Sequence, residues 1–111
     1  MSAEMEFNKI KDEVKALGCE ALRADKDDYF EAVFTKAVTA KLNESLKSFL
    51  GEPVWPSKDK LALQIQDAIA GFGGIHEGQT LYFRTEGSII IFAMLWPWGD
   101  GQRVTIKIIH K

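Results

Sequence analysis

The sequence predicts an α+β fold: three N-terminal helices, then a three-stranded antiparallel β-meander, with the helices packed on one face of the sheet. Three observations lead there. Apolar residues recur at helical spacing from Ala3 to Phe72, the period changes to two from Gln79 onward, and glycines and prolines fall between the periodic runs.

The first helix rests on Ala3, Phe7, Ile10, Val14, Leu17 and Ala21, whose steps of four and three lay one stripe along a helical face. Gly18 ends it as a left-handed cap. The stripe is too short for a coiled coil and is expected to pack on its own domain. The second helix follows Asp25, Asp27 and Asp28, which read as N-caps that also complement the helix dipole. Its stripe is Phe30, Val33, Phe34, Ala37, Val38, Leu42, Ser45, Leu46 and Phe49, closed by Gly51. Pro53 and Pro56 then hold Val54 and Trp55 extended. Ser57 caps a third helix, Lys58 to about Ala70, which buries Leu61, Ile65, Ala68, Ile69 and Phe72 before Gly71, Gly73 and Gly74 stop it.

Three alternating runs, "QTLYFRT", "SIIIFAMLW" and "QRVTIKIIH", supply the strands. A two-residue turn at Glu86-Gly87 sets Thr85 opposite Ser88, Phe83 opposite Ile90 and Leu81 opposite Phe92. One face then holds Leu81, Phe83, Ile90, Phe92, Met94 and Trp96. The third strand adds either Val104, Ile106 and Ile108 or Arg103, Thr105 and Lys107, since a one-residue slip exchanges the two sets. A loop from Pro97 to Gly101, with Trp96 opposite Gln102, buries the aliphatic set under the helices. On the other face Ile89, Ile91, Ala93 and Leu95 form an aliphatic stripe framed by Thr80, Tyr82, Arg84, Arg103, Thr105, Lys107 and Ile109.

The chain reads as one domain, 1–111, with the balance of 46% hydrophobic and 27% charged residues that a soluble core needs. A net charge of −2 and three arginines argue against a nucleic-acid partner, which needs a basic face for phosphates. No apolar run approaches the roughly 18 residues of a membrane span. A lone Cys19 and an opening without a basic start and apolar run predict a reducing, cytoplasmic setting.

Catalytic and metal signatures fail on inspection, so no cofactor and no metal are expected. His76 and His110, the two histidines, lie toward opposite ends of the meander, on the order of 30 Å apart. The register sets Ser88 beside His110 with Glu86 near, but the serine lacks a strained elbow and oxyanion donors. A calcium loop counted from Asp25 would need glycine at Phe30 and glutamate at Lys36. "GFGGIHEG" leaves a helix for a strand, whereas phosphate loops open onto a helix N-terminus. Cys19 reads as inert, because the break at Gly18 separates it from a helical Lys15 and Arg23.

Two functions remain open. The first is a small non-enzymatic protein-interaction module whose partner is another protein or a second copy, meeting it through Ile89, Ile91, Ala93, Leu95 and Tyr82; a continuous exposed apolar stripe marks a contact surface. The alternative is a ligand-binding protein or enzyme with a pocket where the 73–78 and 97–101 loops meet, lined by Trp98, His76, Glu77 and Trp55. Within "MLWPWGDGQ", Trp96 belongs to the buried face and Trp98 is left free for contact.

Overall fold

A computed structural model describes residues 3–56, 60–86 and 88–111. The expected cap Ser57 and the turn glycine Gly87 lie outside the described residues, and the third helix, expected from Lys58, begins only at Leu63, because the chain is not helical at residues 60–62 and Ala62 takes ψ 150°. Among the described residues the order is α1 (Ala3–Ala16), β1 (Ala21–Asp25), β2 (Tyr29–Thr35), a 3-10 turn (Lys36–Val38), α2 (Thr39–Leu50), α3 (Leu63–Ala70), β3 (Thr80–Glu86), β4 (Ile89–Pro97) and β5 (Arg103–His110). The strands form one antiparallel sheet in the order β1-β2-β5-β4-β3.

The fold is α+β, but three N-terminal helices followed by a three-stranded meander is not its arrangement. A hairpin, β1-β2, stands where the long second helix was expected to begin, and it docks on β5 to widen the sheet to five strands. The reason lies in "YFEAVFT". Phe30, Val33 and Phe34 fit a helical stripe, yet Phe30, Ala32 and Phe34 also alternate, and all three are fully buried on one sheet face. Aromatic and β-branched side chains suit a pleated surface better than a helix. The aspartates read as caps instead surround the hairpin turn, where the Lys26 N–H donates to the Tyr29 carbonyl at 2.8 Å. Asp25 accepts from Lys11 at 3.0 Å and lies 2.5 Å from Lys15, which fastens the hairpin to α1. Hydrogen bonds from Lys15 and then Lys11 hold its carboxyl below the usual carboxylate range.

The first helix ends as expected from its glycine: α1 stops at Ala16 and Gly18 takes φ +81°.

Registers decide which residues share a face. Leu81 meets Met94 and Phe83 meets Phe92, two residues along from the pairing that a Glu86-Gly87 turn implies. An even displacement leaves the faces unchanged. Between β4 and β5 the displacement is odd. Ala93 meets Ile108, Leu95 meets Ile106 and Trp96 meets Thr105, so Val104, Ile106 and Ile108 join the Ile91 face. The strand continues through Pro97, which pairs with Val104, and the Trp98 N–H donates to the Arg103 carbonyl at 2.9 Å. The loop is therefore shorter than Pro97 to Gly101 and of opposite parity.

Helices cover both faces. On one, Phe30, Ala32, Phe34, Ile91, Ala93, Leu95, Val104, Ile106 and Ile108 pack under Phe7, Ile10 and Val14 of α1 and Leu42, Leu46 and Leu50 of α2. Each such apolar side chain contributes about 1.5–3 kcal/mol relative to exposure. Tyr82 is buried there too, its hydroxyl donating to Asn43 Oδ1 at 2.6 Å. Arg84 reaches from β3 to Glu6 of α1 and to the Phe49 carbonyl at 2.8 Å. On the other face Leu81, Phe92, Met94 and Ile109 meet Ala68 and Ile69 of α3, ringed by half-buried Tyr29, Trp55, Leu61, Ile65, Phe72, Ile75 and Trp96.

Candidate functional site

The stripe expected to meet a partner is the protein's own core. Ile91, Ala93, Leu95 and Tyr82 are 0–3% exposed beneath α1 and α2, and Ile89 packs half-buried against the same cluster. An interface through these residues would require both helices to leave. The apolar stripe is burial against α1 and α2, brought about by the register of β5.

Cover is thinner on the α3 face. After α2 the chain runs back along the edge of β3: the Val54 N–H donates to the Leu81 carbonyl at 2.8 Å and the Leu81 N–H to the Trp55 carbonyl at 3.1 Å. Trp55 thereby bridges to Leu81, and its indole Nε1 donates to the His76 carbonyl at 3.2 Å. α3 follows, and Gln66, Ile69 and Ala70 fall on one side of it by their spacing of three and four. Past the helix the chain reverses: the Gly74 N–H donates to the Ile69 carbonyl at 3.1 Å, and Gly73 takes φ +92°. A Cβ on Gly73 would come within 3.3 Å of Trp96 Cη2, so glycine also permits the close approach of this turn to the sheet.

These segments enclose a cleft of about 400 Å³ lined by Trp55, Lys60, Leu61, Gln66, Ile69, Ala70, Gly74 and Ile75. Gln66 Nε2 donates to the Leu61 carbonyl at 2.6 Å, tying the entering chain to the helix. Apart from the Gln66 amide the cleft walls are mainly hydrocarbon and indole, and Lys60 is the one charged side chain among the described residues that line it.

Of the four residues expected around a pocket, Trp55 lines the cleft. His76 borders it through its carbonyl bond to Trp55; its N–H donates to Gln79 Oε1 at 2.8 Å and its Nε2 lies 3.2 Å from the Gly73 carbonyl, so it closes the loop. Glu77 is exposed and is not among the lining residues. Trp98 belongs elsewhere. Its indole folds back onto the sheet and donates to Thr105 Oγ1 at 2.8 Å, with the Arg103 guanidinium 5.8 Å from the ring. Trp96 sits beside it under Lys107, whose ammonium is 3.7 Å from the ring centroid. Trp96 is half-buried against the sheet, whereas Trp98, although anchored by Thr105, keeps 37% of its surface exposed and is the one of the pair open to contact.

Sequence reasoning missed Lys60 and Ile75 and treated Leu61 and Ile69 only as core. Ile75, an isolated aliphatic residue inside a glycine-rich turn, was the available signal, because a turn that serves only to reverse the chain needs no such side chain.

The expected juxtaposition of Ser88 and His110 does not form. His110 pairs with Ile91 instead of Ser88, and its ring lies 5.4 Å from Phe7. Tyr29 donates to Glu31 at 2.5 Å, and burial, followed by that bond, pushes its hydroxyl well above the usual range. Among the described residues no group of three His, Cys, Asp or Glu side chains could hold a metal ion. No helix of the described residues is long and apolar enough to cross a membrane. No family model matches the chain, and comparison with curated proteins and with solved structures returns no match.

Proposed function

We propose that this protein binds a small, largely apolar molecule in the cleft between α3, Trp55, Leu61 and Ile75, and that its role is binding and not turnover. The observation that carries the reading is the cleft itself: about 400 Å³, apolar-walled, on the face that α3 alone among the helices covers. Small-molecule sites commonly fall between roughly 300 and 1,000 Å³ and are lined mainly by hydrophobic and aromatic groups. Turnover needs at least a pair of groups able to exchange protons or attack, and Lys60 has no titratable neighbour among the described lining residues. A free, half-buried Cys19 fits a reducing, cytoplasmic setting. Arg23, Arg84 and Arg103 are each engaged by a carboxylate, which fits a protein that does not bind nucleic acid.

The test is a fluorescence titration with a neutral apolar dye such as Nile red, on wild type and on Ala70→Trp. Ala70 is exposed at the end of α3 and lines the cleft, so an indole there fills the space with little effect on the core. We expect saturable binding at one site, weakened about tenfold or more in Ala70→Trp with an unchanged urea midpoint. Absence of saturable binding, or equal affinity in the variant, contradicts the reading.

A further inference from the structure

We infer that the ligand is an amphiphilic monoanion, an apolar body carrying a carboxylate, with its head held by Lys60 and its tail along Ile69, Ala70, Ile75 and Trp55. The inference rests on the proposed binding role and adds the polarity of the ligand. The cleft is chemically two-ended. Lys60 stands just before α3, whereas Ile69 and Ala70 lie at the far end of that helix, beside Gly74 and Ile75. Among the described residues no carboxylate pairs with Lys60, and no acid joins the lining; Asp67, on the same helix, is outside it. A lysine lining an apolar cleft, with no carboxylate partner among the described residues, favours an anion over a neutral or cationic head.

The Trp55 indole N–H is taken by the His76 carbonyl and one Gln66 N–H by the Leu61 carbonyl, which braces the wall next to Lys60. Recognition then rests mainly on one charge plus hydrocarbon, a pattern suited to a carboxylate on a flexible or aromatic body. It is less suited to a sugar or nucleotide, whose many polar groups would go unmatched.

Isothermal titration with octanoate and octanol, which share a chain and differ in the head, on wild type and Lys60→Gln, tests this. We expect octanoate to bind wild type about three- to fivefold more tightly, the range of an exposed ion pair, with the preference shrinking as salt is raised. Lys60→Gln should abolish that preference and leave octanol affinity unchanged. Equal binding of the two by wild type, or a preference that survives in Lys60→Gln, overturns the inference while leaving the cleft as the binding site. Failure of both molecules to bind wild type overturns the binding role itself, and this inference with it.

Discussion

Ile91→Lys is expected to destabilise the protein by about 3–5 kcal/mol, the cost of an unpaired charge in a core. Ile91 is 3% exposed, pairs with His110 across the β4–β5 ladder, and belongs to the cluster sealed by α1 and α2. A lysine placed there must desolvate its ammonium or push α1 away. Total stability for such domains is about 5–15 kcal/mol, so the loss removes from about a fifth to nearly all of the margin. Urea denaturation followed by circular dichroism reads the effect. The same substitution is diagnostic of the register. Had Val104, Ile106 and Ile108 joined the Leu81 face, Ile91 would lie on an open surface, and lysine would alter association and not stability. A variant with a wild-type urea midpoint would therefore refute the covered face.

Phe92→Ala should cost a similar amount, about 3–5 kcal/mol, on the opposite side of the sheet. Phe92 is fully buried, pairs with Phe83 and Ile109, and has ring centroids of Phe72 and Phe83 at 5.7 and 5.9 Å. Removing the ring leaves a cavity and also withdraws a partner from Phe72, the residue that follows α3 and stacks on Tyr29. Phe92→Leu, which nearly keeps the volume, should lose less than about 1.5 kcal/mol. A Phe92→Ala loss under about 1 kcal/mol would mean that α3 does not rest on this part of the sheet.

The elements differed in how far their residues betrayed them. α1 is legible because a single stripe runs without interruption to a glycine that can end it. β3 and β4 are legible for the parallel reason at period two, and the faces of that hairpin survive a misplaced turn because the error is even. Residues 21–35 are not legible in the same way. Phe30 and Phe34 satisfy both periods, and β1 has an almost wholly exposed pattern, as an edge strand rich in charge and alanine does. An aspartate cluster serves equally as helix cap or hairpin turn, so it could not break the tie. The β5 register hung on the parity of one loop. Assuming helices on one face only, burial of Val104, Ile106 and Ile108 pointed to the wrong side; with helices on both, it points to the face they occupy.

The candidate site was legible only in part. Trp55 stands out between two prolines, and His76 lies in the loop that its indole meets. The cleft joins Trp55, Leu61, Ile69 and Ile75 through the return of the chain after α3, a tertiary arrangement that no local period encodes. Trp98 is exposed as its place beyond a strand end suggests, but it does not join the cleft, because its indole is tied to the Thr105 hydroxyl on its own hairpin.

The most direct measurement of the proposed site is a methyl NMR titration of the wild-type protein with the neutral dye. The account predicts saturating shifts at the methyl groups of Leu61, Ile69, Ala70 and Ile75 and at the Trp55 indole N–H, with Leu42, Leu46 and Ile106 under α1 and α2 unmoved. Shifts centred on those latter residues, or around Trp98 and Thr105 with none at Ile69 and Ile75, would contradict it.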